Sequence, residues 1–347
     1  MENAIHSRRK NQTPRYCGYS METIKDLHRH LARQLKFNRQ RTAKQQTKIL
    51  NTQNLNAMTQ TATATGLQTK ALTVNLTICQ WSARKHDKKI TKEVADTHNA
   101  KDDAGRYNKL LVAKKDLEAI QKIANAARIF HYENTLPWGD NGERLLPSAN
   151  YMTYTKEMSF YKNQFENAVA DFVSNYDSVI DDAKVRLNGM FDSKDYPSKL
   201  EIESKFKISA SFMPLPEIDI RLNLSQTEIN NLTQQIENSF RERIAGAVAD
   251  TWNRIKDQLT HMQERLTTVT EEGKPAIFKD SLFDNLKDLI NILPKLNVTG
   301  DANIAAICEQ MKGLIADPDS VRSSAHLRAR KAEEVNTLLN KFESFFA

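Results

Sequence analysis

The chain has 347 residues with only 10 Gly and 9 Pro and 39% hydrophobic content, a composition of long helices with few turns that argues against a sandwich, a barrel or a doubly wound sheet. Its 50 Lys and Arg face 43 Asp and Glu, but the excess is local: residues 1–57 hold 12 cations against 3 acids, net +9, leaving 38 against 40, net −2, for residues 58–347. No apolar run reaches the roughly 18 residues of a membrane span, no hydrophobic signal core opens the chain and the three cysteines are isolated, so a soluble cytoplasmic protein without a disulfide framework or zinc ribbon is expected.

Residues 1–57 have helical spacing from Met21 to about Leu50, with a thin apolar face of Ile24, Leu27, Leu31 and Leu35. Two readings stand. One is a basic arm that neutralises phosphates, with Arg8, Arg9 and Lys10 as its first cluster. The other is a disordered tail or over-extended start ahead of Met58, which opens the small-residue leader "MTQTATATGLQTK".

From Ala71, Leu72, Val74, Leu76 and Ile78 alternate with Thr73, Asn75 and Thr77, the period of a strand over 71–80. "WSARKHDKK" at 81–89 is the densest basic patch outside the leader. Arg84, Lys85, Lys88 and Lys89, with Trp81 at their edge, read either as a surface for phosphates or an acidic partner, or as a solvated turn with Trp81 on the core. Asp87, Glu93 and Asp96 follow closely enough to allow the second. Helical spacing through Leu110, Leu117, Ile120, Ala124 and Ala127 predicts a helix over 102–132.

"HYENTLPWGDNGERLLPSANY", 131–151, interrupts that helix. Pro137 and Gly139 bar its continuation, "GDNG" is a turn signal, and Pro147 with Ser148 prepares the next helix. Trp138, Leu145 and Leu146 exceed what a solvated corner needs. They either cap the end of a bundle or join Asp140 and Arg144 in a partner-binding surface.

Apolar stripes at steps of three and four then run from 151 to 191, through Met158, Phe165, Phe172 and Leu187, and from 225 to 270, through Phe240, Trp252, Leu259 and Leu266. Each is a near-heptad pattern, compatible with a coiled coil, and two such helices in sequence most simply pair antiparallel, as a helical hairpin or the spine of a bundle. Between them, Phe206, Ile208, Ala210 and Phe212 alternate, Pro214-Leu-Pro216 turns the chain, and Ile218, Ile220, Leu222 and Leu224 alternate again. This is a β-hairpin-like insertion, whose prolines are a second partner-binding candidate and which the 71–80 strand is expected to join. Ser225 with Glu228 forms a capping box. Shorter helices follow near 276–293, 301–316 and 320–346, with Asp317 as a cap and an apolar end expected to dock on the bundle.

The fold class expected is mainly α, a long antiparallel helical hairpin or bundle with a small β insertion, built as a basic extension over 1–57 and one elongated domain over 58–347. GxxxxGK[ST], GxGxxG, GxSxG and HExxH are all missing from the sequence. No catalytic residue, metal site or cofactor is expected.

A strand ending in "WSARK", a helix opening with "AGRYNKLL", the "LPW...G.RLLP..NY" corner and two long helices around a Pro-containing β segment together resemble a family carried by phages and conjugative elements, catalogued as domain of unknown function 3150. The resemblance covers about residues 70–270 and is most specific in "TLPWGDNGERLLPSANYMTY". It implies a non-enzymatic interaction or scaffold component of an ATPase-driven remodelling system, working with a MoxR-like AAA ATPase and a protein with a von Willebrand A-like domain, and it carries over no catalytic residues. The second reading, taken from the charges alone, is a nucleic-acid-binding protein for replication or recombination of such an element.

Overall fold

A strand with buried side chains on both faces must stand between two apolar interiors, and residues 71–79 do. The computed structural model describes residues 64–216, 223–271 and 275–344, in which a five-residue helix α1 (Ala64–Gln68) leads into β1 (Ala71–Cys79). Successive side chains on a strand point to opposite faces. Ala71 accordingly joins one core, while Val74, with Leu72, Leu76 and Ile78 beside it, joins the other.

β1 has antiparallel neighbours on both sides. β5 (Arg144–Pro147) pairs with it from Ala71↔Pro147 to Val74↔Arg144, and β6 (Lys207–Pro214) from Leu72↔Pro214 to Cys79↔Lys207. β4 (Leu136–Pro137) pairs outside β5, so the sheet order is β4-β5-β1-β6. The expected union of the 71–80 strand with the first half of the β insertion therefore forms. Of the second half, Ile218, Ile220 and Leu222 lie outside the described residues.

The corner and the strands together form a wall. Leu145 and Leu146 are adjacent on β5 and both 0% exposed, yet Leu145 belongs to one core and Leu146 to the other. The first core is made by α3 (Glu118–Glu133), α4 (Tyr151–Ser174) and the start of α5 (Tyr176–Leu187), with Ile120, Ala124, Tyr154, Phe165 and Tyr176 at its centre. The second is made by α7 (Gln226–Thr267), α8 (Ser281–Leu296), α9 (Ala302–Lys312), α10 (Pro318–Ser323) and α11 (Ala325–Ser344), around Trp252, Ile255, Phe283 and Val335. A short α6 (Lys199–Ser204) leads into β6.

Mainly α with a small antiparallel sheet is the class observed among the described residues. The two long helices, however, do not form the expected hairpin with each other. α4 packs on α3, and α7 packs on α11 and α8, because the wall serves the two stripes from opposite sides. Trp252 meets Phe342 with ring centroids 5.5 Å apart, and Arg328 reaches the carbonyl of Leu266, so α7 and α11 run antiparallel.

Three further boundaries differ from the sequence reading. The 151–191 stripe is two helices broken at Asn175, whose side-chain Nδ2 donates at 2.9 Å to Asp171 O, the carbonyl that its own backbone N–H already bonds, and so competes with the helical ladder. "AGRYNKLL" is a loop followed by β3 (Asn108–Leu110), and helix geometry resumes only where Asp116 accepts from Ala113 N. "RKHDKK" is neither a turn nor a coil: it forms β2 (Arg84–His86), paired with β3, and opens α2 (Lys88–Thr97). The caps hold as expected. Ser225 Oγ accepts from Glu228 N while Glu228 Oε2 accepts from Ser225 N at 3.0 Å, and Asp317 Oδ2 accepts from Ser320 N at 2.8 Å. Leu338 and Phe342 are buried, so the C-terminal apolar stretch docks on its own chain.

Candidate functional site

α3 ends at Glu133, which leaves the carbonyls of its last turn without helical partners. Arg254, on α7, supplies the missing donors. Its Nη1 donates to Glu133 O at 2.6 Å and its Nη2 to Tyr132 O at 2.8 Å and Thr135 O at 2.7 Å, while Nε donates to Asp250 at 2.8 Å. Arg144 on β5 closes the other side, with Nε to Thr135 Oγ1 at 2.6 Å, Nη2 to Thr135 O at 2.9 Å and its guanidinium 4.7 Å above the Tyr132 ring. Asn150 Nδ2 donates to both Asn134 O and Asn134 Oδ1, and Lys295 on α8 donates to Asn150 Oδ1 at 3.3 Å. Gly142 takes φ +85°, the left-handed position that completes the "GDNG" turn.

These contacts place the large side chains of the corner inside the fold. Trp138 is only 6% exposed and stands edge-on to Phe240 at 5.1 Å, Leu145 and Leu146 are fully buried, and the Arg144 guanidinium is engaged internally. Trp138, Leu145 and Leu146 thus sit in the cores, and Arg144 is half-buried beside them. Asp140, Pro214 and Pro216 are exposed, but on different parts of the chain surface: Asp140 at the β4–β5 turn, the prolines at the end of β6.

Beneath the corner, His131 Nδ1 lies 2.7 Å from Tyr154 Oη, the tautomer of the ring setting which atom donates. Burial, reinforced by the Arg144 cation, pushes the ring down from 6.5 to about 4, and burial raises the Tyr154 phenol above its ordinary value. The folded state therefore binds this proton less well than the unfolded state. Its stabilising effect is present above pH 6.5 and is lost as pH falls toward 4, by up to about 3 kcal/mol. Denaturant titrations at pH 7 and pH 4.5 will read that loss, and His131→Gln will flatten it; an equally steep loss in the variant assigns the effect to other groups.

The basic patch has the opposite character. Of residues 84–110 only Ala95 and Lys109 are buried, and Arg84, Lys85, Lys88 and Lys89 are all exposed. The β2–α2–β3 excursion is nevertheless tied firmly. Lys109 Nζ donates to Asp195 at 2.8 Å and to Met190 O at 2.8 Å and lies 3.6 Å from Asp87. Burial alone would lower this lysine, but the bonds and charges of Asp195 and then Asp87 hold it above its ordinary value. Asp87 is in turn held low by the Ile90 amide it caps, and by Lys109. Leu111 N donates to Ala83 O at 2.8 Å and Asp87 N to Tyr107 O at 2.9 Å, which close the base of the excursion. Ala83 itself is strained into φ 50°. Trp81 packs on the first core with Phe172 and Tyr176. Arg8, Arg9 and Lys10 lie outside the described residues.

Arg254, Asn150, Lys109 and Asp195 were not singled out from the sequence. The only local flag was for Lys109, a cation inside the otherwise apolar-looking run "YNKLLV". Among the described residues no group of three or more His, Cys, Asp or Glu side chains is placed to hold a metal, and no helix is long and apolar enough to cross a membrane.

Fold and surfaces together define a mainly α protein in which two apolar cores share a four-stranded wall and one strand–helix–strand excursion carries a cationic surface. No protein-family model, curated protein or solved structure matches the chain.

Proposed function

We propose that this chain is a non-enzymatic interaction and scaffold protein of a phage or mobile genetic element, working beside a MoxR-like AAA ATPase and a protein with a von Willebrand A-like domain. The observation that carries the interaction reading is the contrast between its charged groups. Arg144 and Arg254 of the corner are consumed by internal carbonyls, whereas Arg84, Lys85, Lys88 and Lys89 stand in solvent on an excursion that adds little to either core and is still held by a buried ion pair. Surface that is ordered without serving the core is surface presented to a partner. The mobile-element origin and the ATPase rest on the resemblance of "TLPWGDNGERLLPSANYMTY" alone.

The test is to tag the full chain in its native host, treat the lysate with nuclease and identify what co-purifies. Recovery of an AAA ATPase in stoichiometric amount is the expected result. Recovery of the tagged protein alone removes the ATPase partnership.

A further inference from the structure

We infer that the β2–α2–β3 excursion binds the phosphate backbone of nucleic acid, a reading that rests on its role as the presented surface. Charge is the first argument. Residues 84–115 hold 10 Lys and Arg against 5 Asp and Glu, net +5, so the rest of 58–347, which totals −2, stands at −7. A strongly cationic island on an anionic body orients a polyanion toward itself and away from the remaining surface.

The second argument is availability. Nine of those ten cations are exposed, the exception being Lys109. Of the nine, Lys85 alone comes within 4 Å of a carboxylate among the described residues, at 3.9 Å from Asp195. Arg84, Lys88, Lys89, Lys92, Lys101 and Arg106 are exposed and make no ion pair among the described residues. Of the five acids only Asp87 is turned inward on Lys109, its side chain 14% exposed; Glu93, Asp96, Asp102 and Asp103 stay exposed and are already counted in the net +5.

The third is extent. The cations do not converge on a pocket; they run along β2, α2 and the loop beyond it. α2 alone is about 15 Å long at 1.5 Å per residue, with Lys88 and Lys92 one turn apart. That spread suits several phosphates in a row better than one small anion. Tyr107, 39% exposed beside Arg106, adds an aromatic face at the margin of the patch.

Purified full-length protein, wild type and an Arg84→Gln, Lys88→Gln, Lys89→Gln, Lys92→Gln variant, should be titrated with a labelled DNA duplex, a single strand of the same sequence and the matching RNA over a range of salt. The basic residues 1–57 are the same in both proteins, so any difference belongs to the excursion. The expected result is a loss of affinity of about tenfold or more at fixed salt and a slope of log K against log salt smaller by about 3, with Tm unchanged. The three ligands report which nucleic acid is preferred. If the quadruple variant fails to fold, Lys89→Gln, Lys92→Gln should still reduce the slope by about 1.5. Unchanged affinity and slope with all three ligands in a folded variant overturn the inference. Should that same variant instead lose the ATPase from nuclease-treated lysate, the surface serves an acidic protein and the interaction reading survives; should it keep both nucleic acid and the ATPase, the excursion is neither surface, and the ATPase partnership stands on the wild-type recovery alone.

Discussion

Arg254→Ala is expected to lower the unfolding free energy by about 2 kcal/mol, the cost of losing charge-assisted hydrogen bonds to the carbonyls of Tyr132 and Glu133, while Thr135 O keeps Arg144 as a donor. One guanidinium satisfies three carbonyls at the end of α3 and one carboxylate on its own helix, and it joins an element of the first core to one of the second. Its side chain is only 20% exposed, so water replaces it poorly. The loss should exceed that of any exposed ion pair on these helices, such as Lys122–Glu118, where the net contribution is about 0.5 kcal/mol. Arg254→Lys should rescue little, since a single ammonium cannot span the carbonyls of Tyr132, Glu133 and Thr135 together. Chemical denaturation reads both variants; a loss below about 1 kcal/mol for the alanine would mean that the carbonyls find other donors and that the clamp matters less than its geometry suggests.

Trp138→Ala is expected to cost about 3 kcal/mol or more, as for other large aromatic deletions from a core. Trp138 packs edge-on against Phe240, under Arg243 at 6.0 Å, where β4 meets the middle of α7. Its removal opens a void between a two-residue strand and a helix that cannot close on it. Trp138→Phe keeps part of the contact and should recover about half of the loss. The same variants discriminate capping from docking at the corner. A folded Trp138→Ala protein with unchanged Tm and no partner would restore docking; a lowered Tm assigns the residue to the junction of the cores.

Local pattern made the elements legible and left their neighbours hidden. The alternation of Leu72, Val74, Leu76 and Ile78 marked β1, and Ser225 with Glu228 marked the start of α7, because both signals act within a few residues. The partner of α7 was not legible, since a stripe at steps of three and four fits any complementary stripe, whether on α4 or on α11. "LL" at 145–146 carried the decisive information, two adjacent leucines that both want burial, but only a strand between two cores satisfies that, and no single-segment pattern announces it. The helix expected from 102 failed for a related reason: Leu110 falls at helical spacing from Leu117 by coincidence, although it belongs to an extended run that precedes the helix. In the candidate site, exposure separated what residue type could not. Arg144 and Arg84 are the same chemistry, one locked on Thr135 and the other in water.

The position of β1 in its sheet also bears on how the chain is made. The strand leaves the ribosome long before either neighbour, for β5 begins only at Arg144 and β6 only at Lys207. Each pairing must close a long loop, which costs entropy before any ladder bond forms and slows folding in proportion to sequence separation. Until then the nascent chain carries an apolar, unpaired strand with both edges open, the kind of segment that holdase chaperones cover and that pairs wrongly when crowded. The wall between the two cores is thus begun at β1 and completed only once β6 has been made.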